Sequence, residues 1–221
     1  MRHVRLLPFT LLVLVVACQP SPPAPAGPEE DLTPLSCVVG DWEGNGRDRP
    51  GVVAGDGHGG LVWILPGLEA GHTRSIAFGL ADDQPLVGDW DGDGRDSVGV
   101  FRDGTFHLSN ELDGGEADHV FGFGLAGDQP VAGDWDGDGR DSVGVFRDGA
   151  FHLSNELDGG EADHVFGFGL AGDRPVTGDW DTRVRDSVAI LRDGRLIGRL
   201  SPSAGPADFE APCWNLLEEL P

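Results

Sequence analysis

The feature that most constrains this chain is a block of 45 residues that occurs almost unchanged twice, at 88–132 and 133–177. The second copy carries three substitutions, at Ala150, Arg174 and Thr177. The opening tripeptide Gly-Asp-Trp also stands at Gly40 and Gly178, so four units begin 48, 45 and 45 residues apart. A fixed period in this range predicts a repeat architecture, in which each unit buries its apolar surface only against its neighbours.

Within one unit, apolar and polar residues alternate with the period of a β-strand. The predicted strands are 97–102, 105–110, 120–124 and 129–135, with a tight turn at Asp103-Gly104 joining the first two. Four short strands in about 45 residues are typical of one propeller blade. We therefore predict an all-β fold, a small β-propeller of about four four-stranded blades.

The first 17 residues predict an export signal. Arg2 and Arg5 precede an apolar stretch at 6–17, which is too short for the roughly 20 residues that span a bilayer. The stretch ends in Val-Val-Ala followed by Cys18, which resembles the lipobox of bacterial lipoproteins. That resemblance implies cleavage before Cys18, lipid on its thiol and a place in the bacterial cell envelope, periplasmic or surface-exposed. The alternative is an ordinary signal peptide with a chance cysteine.

The remaining boundaries follow from composition. Residues 1–17 form the signal peptide, and residues 18–34 comprise the lipidated Cys18 and a proline-rich linker, which predicts a semi-rigid spacer. The propeller domain is predicted at 35–215 and a C-terminal tail at 216–221.

The two ends of the repeat region predict how the ring closes. A strand of the type that precedes Gly-Asp-Trp occurs at 37–42, before any complete unit, whereas the last unit lacks one. We expect this N-terminal strand to complete the last blade, which would close the ring and remove exposed sheet edges. The closure would place Cys37 beside Cys213, and export favours a disulfide between them. Two buried thiols are the alternative.

Charge limits the possible partners. The formal net charge is -23, from 38 acidic and 15 basic residues. Such an acidic surface repels phosphate backbones, so nucleic-acid binding is not expected, whereas cations are attracted.

Each unit opens with an acidic loop. In the second unit, Asp89, Asp91 and Asp93 occupy positions 1, 3 and 5, and Gly94 follows at position 6. This spacing matches the first half of an EF-hand loop, where alternate oxygens surround a hard cation. It is not an EF-hand, because position 12 is Val100 and the next segment is a predicted strand. The alternative is that Asp and Gly serve only as turn residues.

The loop and the Phe-Gly pairs at 123–124 and 168–169 resemble the FG-GAP and VCBS-type repeats of bacterial surface proteins and of integrin α propellers. The resemblance implies that calcium is bound through positions 1, 3, 5 and 9 and the carbonyl of position 7. The ligands implied are Asp89, Asp91, Asp93 and the carbonyl of Arg95, and then Asp134, Asp136, Asp138 and the carbonyl of Arg140. Position 9 departs from the family as Ser97 and Ser142, which implies a weaker affinity.

The other two loops are poorer versions of the same pattern. In the first, Asp41, Glu43 and Asn45 keep oxygens at positions 1, 3 and 5, but Arg49 stands at position 9. In the fourth, Arg183 replaces the third ligand, and a guanidinium there would take the place of the ion. We expect the first loop to be a weaker calcium site and the fourth to be free of metal.

The expected function is that of an exported, lipid-anchored, calcium-binding propeller that acts as a surface binding or scaffold module. Its partner would be an unknown protein or glycan, in addition to the membrane reached through the lipid. The alternatives are a lectin-like propeller that binds carbohydrate and, third, a propeller-based hydrolase. Catalysis is not expected, because an active site needs different residues that converge once, whereas this chain repeats the same ones.

Overall fold

The structure is a computed structural model that describes residues 32–67, 71–180 and 185–212. Within these ranges every regular element is a β-strand, and the strands form four antiparallel sheets of four strands each. The sheets are arranged as the blades of a four-bladed β-propeller, so the predicted fold class is confirmed. The described residues include no helix that could cross a membrane.

Each blade contains four strands that are consecutive in the chain. Blade one consists of β1 (Thr33–Gly40), β2 (Arg49–Gly55), β3 (Gly60–Pro66) and β4 (Thr73–Leu80). Blade two consists of β5 (Gln84–Gly88), β6 (Ser97–Arg102), β7 (Thr105–Leu108) and β8 (His119–Gly122). Blade three consists of β9 (Gln129–Gly133), β10 (Ser142–Arg147), β11 (Ala150–Leu153) and β12 (His164–Gly167). Blade four consists of β13 (Arg174–Gly178), β14 (Ser187–Arg192), β15 (Arg195–Gly198) and β16 (Phe209–Pro212).

The tight turns between the second and third strands of blades two to four form as predicted. In blade two, Asp103 and Gly104 have φ angles of 48° and 88°, both in the left-handed region that a two-residue hairpin requires. A side chain at position 104 would also be obstructed, because its Cβ would lie 3.0 Å from the carbonyl oxygen of Gly124. Glycine is therefore required here by both the backbone angle and the space.

The predicted closure of the ring by the N-terminal strand is wrong. β1 pairs with β2 inside blade one, with Gly40 opposite Arg49, and β16 completes blade four. The strands themselves are the predicted ones, but each blade begins with the strand that precedes Gly-Asp-Trp rather than ending with it. The reason is that strands on either side of an acidic loop form a hairpin, as Gly88 opposite Ser97 shows, whereas the loop at 123–128 leads into the next sheet.

The observed order of strands also bears on the predicted disulfide between Cys37 and Cys213. Cys37 lies in β1, the innermost strand of blade one, whereas Cys213 follows β16, the outermost strand of blade four. The strand pairing that was expected to bring the two cysteines together does not form. Cys213 lies outside the described residues, so the disulfide stays a prediction.

The hydrophobic core lies between the blades. Trp42, Trp90 and Trp135, the third residues of the first three Gly-Asp-Trp segments, are each at most 2 % exposed. Each belongs to the apolar cluster between its own blade and the next, with Val98 and Val100 of blade two closing the first cluster. The tryptophans thus serve to pack the blades together. Trp180, in the last blade, is only half-buried and contacts Phe209, with ring centroids 5.7 Å apart.

The order of strands gives the propeller two different faces. The acidic loops follow the innermost strands, and the long loops at 109–118 and 154–163 emerge at the same end of the blades. We call this end the upper face. The lower face carries the tight Asp-Gly turns and the loops between blades, such as 123–128.

Candidate metal sites in the acidic loops

The second and third acidic loops, residues 89–96 and 134–141, have the same internal hydrogen bonds. Asp89 accepts the backbone N–H groups of Gly92, Asp93 and Gly94 at 2.8, 3.1 and 2.8 Å. Asp134 accepts those of Gly137, Asp138 and Gly139 at 2.6, 3.1 and 2.9 Å. A single carboxylate at position 1 thus fixes the curvature of each loop.

The other two aspartates of each triad face the same space. Asp91 accepts the N–H of Asp93 at 3.1 Å, and Asp93 accepts the N–H of Arg95 at 2.9 Å, in each case through one oxygen. One carboxylate oxygen of each of Asp89, Asp91 and Asp93 lies within 4.8 Å of the others. The triad Asp134, Asp136 and Asp138 meets the same condition. Two oxygens bound to one calcium ion are separated by at most about 5 Å, twice the Ca–O distance, so the triads can hold such an ion.

Positions 8 and 9 do not complete these sites. Ser97 and Ser142 are buried, and their hydroxyls lie 3.4 and 3.3 Å from the carbonyl oxygens of Gly88 and Gly133, to which they donate. At position 8, Asp96 accepts the N–H of Asp41 at 2.6 Å, which belongs to the preceding blade. Among the described residues, the donors that loop two brings together are therefore the three carboxylates, and the carbonyl of Arg95 stays a ligand implied by the resemblance alone.

The position-8 aspartates instead link one loop to the next. Asp141 accepts the N–H of Asp89 at 2.9 Å, and its own N–H donates to the carbonyl of Asp89 at 2.8 Å. Asp186 makes the same two contacts with Asp134, at 3.1 and 2.8 Å. This role was missed at the level of sequence, where the signal was the recurrence of Asp at this position in all four units, at Asp48, Asp96, Asp141 and Asp186.

A second contact interlocks neighbouring loops. A Cβ built on Gly92 would lie 2.8 Å from Cγ of Arg140, and one on Gly137 would lie 2.7 Å from Cγ of Arg185. Each position-7 arginine therefore lays its aliphatic stem over the position-4 glycine of the preceding loop. The loops of the upper face form a contiguous structure rather than independent turns.

Burial and mutual repulsion act together on these carboxyl groups. Burial, with a smaller effect of the nearby carboxylates of Asp48 and Asp89, raises the pKa of Asp96 to about 6. Burial likewise raises the pKa of Asp186 to about 6 and that of Asp141 well above its ordinary value. The pKa of Asp89 is also raised, by burial and then by the charge of Asp93, against its three backbone hydrogen bonds. Negative charge is therefore crowded on the upper face.

The first acidic loop has the same backbone but a different charge balance. Asp41 accepts the N–H groups of Asn45 and Gly46 at 3.1 and 2.5 Å, as Asp89 does for its own loop. The carboxylate of Glu43, however, accepts the amide of Asn45 at 2.8 Å and forms an ion pair with Arg49. The guanidinium of Arg49 thus pairs with the carboxylate that a metal ion would need as a ligand.

Blades two to four neutralise a carboxylate of the lower face in a different way. Asp83, Asp128 and Asp173 are each at most 7 % exposed. Asp128 pairs with Arg147 through two hydrogen bonds of 2.7 and 2.5 Å, and the same pair recurs as Asp83–Arg102 and Asp173–Arg192. Burial opposes ionisation of Asp128, but the bonds from Arg147 and from the N–H of Leu125 outweigh it and lower its pKa. These pairs anchor the loops between blades without an added ion.

Several predicted features lie outside the described residues. The fourth acidic loop includes Asp181 and Arg183, the lipobox ends at Cys18, and the tail occupies 216–221. Their expected properties stay predictions. A scan against protein families found no match to the chain, and a search among curated proteins also found none.

Proposed function

We propose that this chain is a calcium-binding β-propeller that acts as a surface binding or scaffold module, held at a membrane by lipid on Cys18. The observation that carries the proposal is the pair of matching aspartate triads at 89–93 and 134–138, whose oxygens lie within 4.8 Å of one another. Because each triad is already shaped by backbone hydrogen bonds, an ion would bind without rearranging the loop.

The donor chemistry favours calcium over other cations. All available groups are oxygens, which suit hard cations rather than zinc or copper. Magnesium requires a compact octahedron with oxygens at about 2.0 to 2.1 Å, whereas calcium accepts looser and more numerous ligands. With Ser97 buried and Asp96 directed to Asp41, each site lacks a second-half carboxylate. The affinity expected is that of extracellular modules, with a Kd on the order of 10⁻⁴ to 10⁻³ M. The resemblance to FG-GAP and VCBS-type repeats supports the same ion.

The triads serve the structure of the propeller rather than catalysis. Each is repeated with the same residues, and its position-1 aspartate is bonded to the next blade through Asp141 or Asp186. Calcium would therefore stiffen the contacts between blades two, three and four. We infer a binding module without enzymatic activity.

The burial of the aromatic side chains favours the scaffold over the lectin. A carbohydrate site of the expected kind needs exposed aromatic rings at the blade edges. Among the described residues no Trp or Phe is exposed, and all but Trp180 and Phe209 are buried.

Calorimetric titration of the full chain with calcium tests the ion. Two calcium ions should bind per chain, and Asp91→Ala with Asp136→Ala should abolish most of this binding. The matched control is Asp113→Ala with Asp158→Ala, which removes the same charge from exposed upper-face loops outside the triads. Equal loss in both double variants would reduce the effect to general electrostatics and contradict the sites.

The anchor and the partner are tested in cells. Cys18→Ser should abolish labelling by a fatty-acid analogue and move the protein to soluble fractions, and unchanged membrane partitioning would exclude the lipid anchor. Crosslinking in the presence and absence of calcium should recover a protein partner. Selective binding on a glycan array with no protein recovered would favour the lectin instead.

A further inference from the structure

A cavity of about 520 Å³ lies on the axis of the propeller, within the range of about 300 to 1,000 Å³ typical of small-molecule sites. The innermost strands of all four blades contribute to its wall. Most of the wall is apolar, with Val39, Pro85, Val87, Pro130, Val131 and Pro175 among the side chains that line it. The cavity thus offers an apolar space that the fold itself does not fill.

The lower end of the cavity is surrounded by one polar residue from each blade. Ser36, Gln84, Gln129 and Arg174 all line it. They occupy equivalent positions, because their partners across the sheet are the equivalent residues Val53, Phe101, Phe146 and Leu191. Three of these positions are uncharged and one is a cation.

Arg174 is one of the three differences between the two copies of the 45-residue block, where it replaces the glutamine found at 129. Two of those three differences, Arg174 and Thr177, line the cavity. The part of the duplicated block that has diverged is therefore concentrated at the axis.

The guanidinium of Arg174 is not used by the fold. Within the described residues no hydrogen bond or ion pair engages it. The adjacent Asp173 is held by Arg192, and Asp83, which also lines the cavity, is held by Arg102. A cation at the mouth of an apolar cavity, with Asp83 and Asp173 already paired, is suited to an anionic group.

The other polar residues of this ring offer no free group to the cavity. The hydroxyl of Ser36 is buried away from solvent and has no hydrogen-bond partner. The side-chain amides of Gln84 and Gln129 instead donate to the carbonyls of Asp128 and Asp173, both at 3.0 Å. The group of this ring that is free to bind a ligand is therefore the guanidinium of Arg174, whose side chain is exposed.

We propose that the axial cavity binds a small amphipathic carboxylate, with its apolar body between the inner strands and its carboxylate at Arg174. The planar fork of a guanidinium matches a carboxylate through two parallel hydrogen bonds. The acidic loops lie at the opposite end of the cavity, because they follow the far ends of inner strands such as Gln84–Gly88. About four residues of strand separate the two ends by roughly 13 Å, so the repulsion from the acidic loops is reduced by distance. This site does not depend on calcium.

Calorimetric titration of the full chain with octanoate tests the proposal. We expect saturable binding of one octanoate per chain, weakened roughly ten- to a hundredfold in Arg174→Gln, as for the loss of a hydrogen-bonded charge pair. That variant restores the residue found at Gln84 and Gln129, so its melting temperature without octanoate should be unchanged. Arg195→Gln is the matched control, because it removes one positive charge from an exposed ion pair with Glu210 outside the cavity.

Two further measurements make the outcome decisive. Gln129→Arg places a second guanidinium in the same ring and should tighten octanoate binding, whereas octylammonium, with the same body and the opposite charge, should bind far more weakly than octanoate. The proposal is overturned if octanoate shows no saturable binding, if Arg174→Gln binds it as tightly as the native chain does, or if octylammonium matches it.

Discussion

The two faces of this propeller handle buried and crowded carboxylates in opposite ways. On the lower face, Asp83, Asp128 and Asp173 are each matched by an arginine from a strand of the blade that follows their loop. On the upper face, no arginine of the described residues pairs with the triads at 89–93 and 134–138, and burial, with a smaller effect of the charge of Asp93, raises the pKa of Asp89. The same repeat therefore neutralises the carboxylates of the lower face with its own arginines, and on the upper face it forms triads that could hold a metal ion.

The first acidic loop shows that a few residues decide whether the carboxylates of a loop pair with an arginine or stay available to an ion. Its backbone is shaped by Asp41 just as loop two is shaped by Asp89, yet Arg49 pairs with Glu43. A loop of the same shape can thus be stabilised by a guanidinium or by an ion. The stability of the lower face and of loop one should be independent of calcium, whereas that of loops two and three should depend on it.

The largest expected effect is the removal of calcium from the upper face. An ion that binds only the folded state at a hundredfold excess over its Kd stabilises that state by about 2.7 kcal/mol, so two sites contribute about 5 kcal/mol. Chelation should lower the melting temperature by roughly 10 to 20 °C. Asp91→Ala with Asp136→Ala should remove most of that shift. A melting temperature that ignores the chelator would reduce these loops to acidic turns.

A smaller effect is expected from converting loop one into loop two. Three substitutions, Glu43→Asp, Asn45→Asp and Arg49→Ser, give residues 41–49 the sequence of residues 89–97. The triple variant should bind a third calcium ion and gain up to about 2.7 kcal/mol of calcium-dependent stability at a hundredfold excess over Kd. Its stoichiometry is measured by calorimetric titration.

The control for this conversion keeps the guanidinium. Glu43→Asp with Asn45→Asp supplies the three carboxylates but retains Arg49, which should continue to occupy them. A third ion bound by this double variant would show that Arg49 does not exclude calcium, and the contrast between the loops would then rest on ligand type alone.

On the lower face, the ion pair between Arg147 and Asp128 should stabilise the fold. Arg147→Gln leaves the carboxylate of Asp128, which is 4 % exposed, without its cation. Because hydrogen bonds to charged groups contribute about 1.5 to 3 kcal/mol, and this arginine is partly solvated, we expect a loss of about 2 kcal/mol in unfolding free energy. Urea unfolding measures it. A chelator should lower the melting temperature of Arg147→Gln by as much as it lowers that of the native chain. A smaller decrease would show that the two faces are coupled.

The strands, the number of blades and the triads were predictable because they follow from local patterns and their repetition. Period-two alternation located the strands, and the Asp-Gly spacing located the ligands. The grouping of strands into blades was not predictable, because a repeating sequence does not show which strand begins each blade. The strand that begins each blade is set by the three-dimensional structure. Hairpins form across the acidic loops, and Asp128, held by Arg147, anchors the loop that leads to the next blade.

The contacts between neighbouring blades and the ion pair within loop one could not be predicted from the sequence pattern either. Asp96 and Asp141 stood one position away from the expected ligand, so their role could be assigned only when the neighbouring blade was in place. Arg49 was visible as a departure from the motif, but its pairing with Glu43 required the geometry of the loop. The cavity residues Ser36 and Arg174 gave no motif, since they share only a position at the ends of inner strands.

The smallest effect expected is a dependence on pH that separates the lower face from the upper one. Arg147 holds the pKa of Asp128 below its usual value against the effect of burial. A group whose folded pKa is depressed contributes stability that is fully present above its unfolded pKa, about 3.9, and is lost as the pH falls through the folded pKa. The difference in unfolding free energy between the native chain and Arg147→Gln should therefore be constant from pH 7 to about pH 5 and shrink below pH 4.

Both proteins in this comparison should also carry Asp91→Ala and Asp136→Ala, so that protonation of the calcium ligands does not contribute to the difference. Urea unfolding at each pH gives the free energies, and Arg195→Gln in the same background controls for the loss of one exposed arginine. A difference that persists undiminished to pH 2 would mean that Arg147 stabilises the loop by packing of its stem rather than by its charge. The lower face would then not be an electrostatic counterpart of the upper face.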